Sequence, residues 1–72
     1  MSSDREPIRL LRRPAVEALI GVKRSALYRM MSENRFPHPI PLADGKNPPV
    51  AWIESEVRSW IEHRIAKREQ SS

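Results

Sequence analysis

A segment rich in hydrogen-bond donors lies in the first half of the 72-residue chain. Two guanidinium groups, one ammonium group, two hydroxyls and one phenol occur close together, on Lys23, Arg24, Ser25, Tyr28, Arg29 and Ser32. If the segment is helical, the spacing of the last five places them on one continuous face. Groups of this kind donate hydrogen bonds to phosphate oxygens and to the edges of nucleobases. The pattern therefore predicts a surface that binds a polyanion.

The other residue types that perform chemistry do not form a recognisable site. The chain has no cysteine, which excludes disulfides and zinc–thiolate centres. His38 and His63 each lack a second ligand at metal spacing, and Glu54, Glu56 and Glu62 have no accompanying nucleophile. A chain this short also has little material for the walls of a substrate pocket. We therefore expect neither enzyme activity nor a cofactor.

The positive charge is concentrated in the half of the chain that carries the donors. The sequence contains 13 Lys+Arg and 9 Asp+Glu, a net charge of +4. Residues 1–35 contain eight basic and four acidic side chains, whereas residues 36–72 contain five of each. This asymmetry favours a polyanionic partner.

The chain has room for one small domain, with a net stability of about 3–5 kcal/mol. We expect this domain over residues 8–67, between a disordered N-terminal tail over residues 1–7 and a frayed C-terminal tail over residues 68–72. The opening MSSDREPIRLL contains no long apolar run, so neither a signal peptide nor a membrane-spanning segment is predicted. A cytoplasmic protein is the expectation.

Two short helices are predicted on either side of Gly21. Pro14 suits the first turn of the earlier helix, because the N–H that proline lacks has no intrahelical partner there. Gly21 ends that helix, since glycine adopts the left-handed conformation at little cost. The later helix is expected over about residues 24–33, with an apolar stripe opposite the donors formed by Leu27, Met30 and Met31.

The residues around this turn have the pattern of a helix-turn-helix. Apolar side chains stand at the positions that lock the two helices at their crossing angle, namely Val16, Ile20, Val22, Leu27 and Met30. A small residue normally stands four positions before the glycine, where the helices approach closely, but here that residue is Glu17. Either Glu17 turns outward or the helices lie further apart.

A proline-rich segment after the second helix predicts a β-hairpin. Alternate positions lack N–H donors along one side of an extended chain, at Pro37, Pro39 and Pro41. This arrangement suits an edge strand whose prolines face away from its partner. The returning strand is expected at residues 50–52, with Gly45, Lys46 and Asn47 at the tip. We call the hairpin, about residues 38–52, the wing.

A final helix is predicted over about residues 54–67. Acidic residues cluster at its start and basic residues at its end, as the helix dipole favours. Its apolar face is formed by Val57, Trp60, Ile61 and Ile65. At this spacing Trp60, like Trp52 before it, is expected in the core rather than stacked on a ligand.

The chain resembles the AlpA family of short prophage-associated transcriptional regulators from Arg9 to about Glu69. The resemblance is carried by the motifs GVKRSALYR, RFPHPI and AWIESEVRSWIEHR. The family is similar in turn to winged-helix excisionases and to MerR-type DNA-binding domains. It implies a mainly α-helical winged helix-turn-helix with a small β-hairpin. In one departure, Lys23 replaces a serine that commonly caps the second helix, which leaves Ser25 as the alternative cap and a later start for the helix.

The resemblance implies a bacterial or phage regulator that binds double-stranded DNA. The second helix would enter the major groove, with Arg24, Ser25 and Arg29 on base edges or phosphates and the Tyr28 hydroxyl on a phosphate. The remaining candidate contacts are Lys23, Ser32, Arg35, Lys46 and Asn47. Homodimers or cooperative binding are plausible, because one reading helix covers few base pairs. Three alternatives remain open: a merely solvated helix face, an excisionase-like factor that bends DNA, and a protein-interaction module.

Overall fold

A computed structural model of the protein describes residues 8–71. Three helices and three short strands follow one another as β1 (Leu10–Leu11), α1 (Arg13–Ile20), α2 (Arg24–Ser32), β2 (Ile40–Pro41), β3 (Val50–Ile53) and α3 (Glu54–Ser71). This confirms the predicted fold class, a mainly α-helical winged helix-turn-helix with a small β element. The tail predicted over residues 1–7 lies outside the described residues.

The sheet has three strands instead of the predicted two. Its order is β1-β3-β2, and both pairs are antiparallel. Leu10 pairs with Ile53 and Leu11 with Trp52 along one edge of β3. Leu10–Leu11 therefore form a strand that the sequence pattern did not predict. Its pairing satisfies backbone groups of a strand whose centre is buried, which would otherwise lack partners.

At β2, the proline of the wing faces away from the partner strand, as predicted. Ile40 pairs with Ala51 and Pro41 with Val50, and the Leu42 N–H donates to the carbonyl of Pro49 at 2.8 Å. Pro41 stands between two residues that keep their N–H donors, so its nitrogen lies on the outer edge. Such an edge cannot readily pair with another strand.

The turn between α1 and α2 has the predicted geometry. Gly21 has φ 76° and ψ 30°, and its N–H donates to the Glu17 carbonyl at 2.8 Å. The Val22 N–H donates to the same carbonyl at 3.2 Å. The Glu17 side chain forms an ion pair with Arg13, one turn earlier on α1, at 3.0 Å. This ion pair accommodates a carboxylate where a small residue is usual.

We expect Gly21→Val to lower the melting temperature by at least about 4 °C, because left-handed geometry costs a residue with a Cβ about 1–2 kcal/mol. A Cβ built at Gly21 meets no atom within 4 Å, so the cost arises from the backbone and not from a clash. Thermal unfolding followed by circular dichroism measures the effect. Gly21→Asn is the matched control and should lose less, since asparagine tolerates this conformation better. Equal melting temperatures for Gly21→Val and the parent would contradict the role of the turn.

The core joins the helix-turn-helix to the sheet and to α3. Its fully buried large side chains are Val16, Leu27, Trp52 and Val57. Partly buried apolar side chains surround them, including those expected to lock the turn, Ile20, Val22 and Met30. Trp52 lies in the core as predicted, and its indole N–H donates to the Pro37 carbonyl at 3.0 Å.

The indole of Trp60 contacts the segment that follows α2. The Trp60 N–H donates to the Arg35 carbonyl at 2.7 Å. Its ring meets buried Phe36 edge to face, with centroids 5.0 Å apart. Asn34 makes the preceding turn with φ 59°. Together these contacts fix where α2 ends relative to α3.

Two expectations for α3 are wrong. The helix continues to Ser71 instead of ending near residue 67, so residues 68–71 belong to α3. Ile65, predicted to share the core-facing side, is 44% exposed. It lines an open groove of about 270 Å³ with Leu19 and Ile20 of α1. The eight-residue α1 contributes only these two side chains there, which is too little to bury Ile65.

Candidate nucleic-acid interface

The second helix of the helix-turn-helix begins without a side-chain cap. Lys23 occupies the N-cap position in an extended conformation, and its carbonyl accepts the Leu27 N–H at 3.0 Å. The helix therefore begins at Arg24, and Ser25 lies inside its first turn. The expectation that Ser25 would cap a later-starting helix is wrong, because the backbone of Lys23 can start the helix without an acceptor on its side chain.

One side of α2 is buried and the other is exposed. Leu27 and Met31 pack in the core, and Met30 packs against it. The opposite side presents five exposed side chains, which we call the polar face: Arg24, Ser25, Tyr28, Arg29 and Ser32. The structure thus brings together the residues that the helical spacing predicted on one face.

Four of the five candidate cationic contacts lack carboxylate partners within the described part of the chain. The ion pairs given by the structure join Arg9 and Arg58 to Glu54, Arg13 to Glu17, and Arg35 to Glu33. By contrast, Lys23, Arg24 and Arg29 form no ion pair with any carboxylate of residues 8–71, and neither does Lys46. Their positive charge is therefore not neutralised by the neighbouring described residues.

Two members of the polar face contact each other. The Arg24 guanidinium carbon lies 5.6 Å from the centre of the Tyr28 ring, within the range of a cation–π interaction. The two residues are one helical turn apart, and that spacing was the available sequence signal. Tyr28 is 40% exposed, so it also forms part of the accessible surface.

Two other residues predicted to contact DNA already interact with groups of the protein itself. The Ser32 hydroxyl donates to the Arg29 carbonyl at 2.9 Å. The Arg35 guanidinium lies 2.9 Å from a carboxylate oxygen of Glu33. Both side chains are exposed, but their donors are partly used, which makes them weaker candidates than Arg24 and Arg29.

The predicted contacts on the wing belong to a separate element. Lys46 and Asn47 are exposed in the loop between β2 and β3. Gly45 has φ 102° and Asn47 has φ 52°, which bend the tip through two left-handed residues. The strand pairing below the tip connects it to buried Trp52. The wing is therefore anchored on the core that also carries α2.

A further basic surface lies at the end of α3. Arg64, Lys67, Arg68 and Gln70 line an open groove of about 470 Å³. The basic residues fit a helix C-terminus, and their spacing gives no separate sign of a binding surface. Within residues 8–71 no cluster of three or more potential metal ligands exists. His38 instead makes a 3.2 Å hydrogen bond with Asn34.

A helix-turn-helix with an exposed cationic second helix, a wing and a closing helix defines the winged helix-turn-helix class, which includes many DNA-binding regulators. The particular family follows from comparison with known proteins. Residues 9–65 match the family described as prophage CP4-57 regulatory protein (AlpA), and the chain belongs to this family.

A relative in Enterobacteria phage P4, described as uncharacterized protein ORF88, is 44% identical over 62 residues. The match covers 86% of this chain and 67% of the phage protein. No solved structure gives a significant match. Membership of a prophage regulatory family places the chain among DNA-binding regulators of transcription. None of the helices within residues 8–71 has the length and hydropathy needed to cross a membrane.

Proposed function

We propose that the protein binds double-stranded DNA sequence-specifically and regulates transcription of a prophage or related mobile element. The observation that carries the proposal is the polar face of α2. It combines exposed guanidinium groups, which form no ion pair within residues 8–71, with a helix whose opposite side is packed in the core. Family membership supports the same kind of partner.

The dimensions of α2 suit the major groove of B-form DNA. A helix with its side chains is about 10–12 Å across, and the groove is about 12 Å wide. The nine residues Arg24–Ser32 extend about 13 Å, enough to follow a few base pairs. Arg24, at the start of the helix, would reach a base edge, while Arg29 would hold a phosphate.

The wing and the uncapped start of α2 would add contacts to the DNA backbone. Lys46 and Asn47 would touch phosphates or the adjacent minor groove, and Lys23 and Arg35 would contribute further phosphate contacts. One such domain covers few base pairs, so we propose that homodimers or cooperatively bound copies occupy the operator. The protein would act at the nucleoid in the cytoplasm.

We expect binding to duplex DNA to weaken steeply with salt. Each phosphate that the protein neutralises contributes about −0.9 to the slope of log K against log salt. If four cations each neutralise one phosphate, the expected slope is about −3 to −4. Fluorescence anisotropy with labelled duplexes from prophage DNA, over a series of salt concentrations, measures the slope. DNA bending in the same complex would distinguish a regulator from an excisionase-like factor.

A salt-independent affinity for every duplex would contradict the proposal. It would favour the protein-interaction alternative, because protein docking releases few counterions. Arg58→Ala provides a control for net charge. This arginine is exposed on α3 and paired with Glu54, so its loss should leave the slope nearly unchanged.

A further inference from the structure

The pair formed by Arg24 and Tyr28 is the starting point. The guanidinium carbon of Arg24 lies 5.6 Å from the centre of the Tyr28 ring, on the exposed side of α2. Arg24 has no ion pair within residues 8–71, so the Tyr28 ring is its one side-chain partner among these residues. The helix beneath both residues is fixed by buried Leu27 and Met31.

An arginine held over an aromatic ring differs from a free one. A free arginine samples many rotamers and must lose that freedom when it binds. Contact with the ring removes part of the freedom beforehand, while the N–H groups around the guanidinium plane remain able to donate. That planar fork matches the O6 and N7 acceptors of guanine in the major groove.

We propose that Tyr28 is a positioning residue that orients Arg24 to read one guanine of the operator. The inference rests on the proposed function and extends it, because it names the base and assigns the selectivity to a pair of residues. It also gives Tyr28 a role through its ring, in place of the hydroxyl–phosphate contact expected from sequence.

Two substitutions separate the ring from the hydroxyl. Tyr28→Phe keeps the ring and removes the hydroxyl, whereas Tyr28→Leu removes the ring. Neither changes the net charge, and the side chain is 40% exposed, so both should fold. Circular dichroism and thermal unfolding would verify this before binding is measured.

The experiment uses the full chain and a duplex selected from a random library by the parent protein. Affinities are compared between this duplex and versions in which each G·C pair is replaced in turn by A·T. We expect Arg24→Ala to lose its discrimination at one G·C pair. Tyr28→Leu should reduce discrimination at the same pair by about twofold to fivefold, with an unchanged salt slope. Tyr28→Phe should retain the parent's ratio of affinities for the selected duplex and for the duplex changed at this pair.

The double variant Arg24→Ala/Tyr28→Leu should bind the selected duplex as tightly as Arg24→Ala alone, because a residue that acts only through Arg24 has no effect once Arg24 is absent. Additive losses of affinity in the double variant would overturn the proposal, since Tyr28 would then act independently of Arg24. Equal losses for Tyr28→Phe and Tyr28→Leu would overturn it in favour of the hydroxyl. If the parent itself selects no duplex, the proposed function fails first; if it selects one and Tyr28→Leu discriminates normally, only the positioning role fails.

Discussion

Trp52→Ala should leave most of the protein unfolded at 25 °C. Trp52 is fully buried at the centre of the sheet, and replacing such a residue by alanine costs about 3–5 kcal/mol. A domain of this size has a net stability of about the same magnitude. The substitution also leaves the Pro37 carbonyl without its indole donor. Urea unfolding followed by circular dichroism would show the loss of the cooperative transition.

Trp52→Phe is the matched control for this prediction. It retains a large apolar ring but removes the indole N–H, so it should remain folded with reduced stability. A cooperative transition for Trp52→Ala near the urea midpoint of the parent would contradict the assignment of Trp52 to the centre of the core.

Loss of both arginines from the polar face should cause the largest decrease in DNA affinity. Arg24 and Arg29 lie opposite buried Leu27 and Met31, so their truncation should not disturb folding. An arginine that binds guanine through two hydrogen bonds contributes about 1–3 kcal/mol and selectivity at one base pair. An arginine that contacts a phosphate contributes equally to the affinity for every DNA sequence, and its loss reduces the salt slope by about 1.

We expect Arg24→Ala to show the first behaviour and Arg29→Ala the second, with Lys46→Ala resembling a weaker Arg29→Ala. The measurement compares operator and scrambled duplexes over a salt series. Arg58→Ala has the same net charge as either single variant but removes an arginine already paired with Glu54. If folded Arg24→Ala and Arg29→Ala both bind the operator as tightly as Arg58→Ala, α2 is not the DNA-reading helix.

Local sequence signals were sufficient for the helix-turn-helix. Gly21 has a backbone conformation that few other residues adopt, and Pro14 lies in the first turn of α1. The four-residue spacing of Leu27 and Met31 identified the buried side of α2, and therefore also its exposed side. These signals depend on neighbouring residues only, so they can be interpreted without knowing the rest of the fold.

Features that depend on distant parts of the chain were harder to predict. The two residues of β1 are too few to show an alternating pattern, and their partner strand lies far along the sequence. The burial of Phe36 depends on Trp60, and the exposure of Ile65 depends on where α1 ends. Within the site, the spacing alone did not show that Ser32 and Arg35 bind groups of the protein itself.

The central position of β3 has a consequence for how the protein is made. On a ribosome, α1 and α2 emerge before the strand that carries Trp52 and before the Val57 side chain of α3. Until those residues emerge, the inner surfaces of both helices lack much of their packing, and β1 has no strand to pair with. Helices this short are marginal in water without tertiary contacts. A nascent chain that stops within the wing would therefore display the cationic segment without a fixed geometry. The proposed DNA-binding surface would form only after β3 and the first turns of α3 have been synthesised.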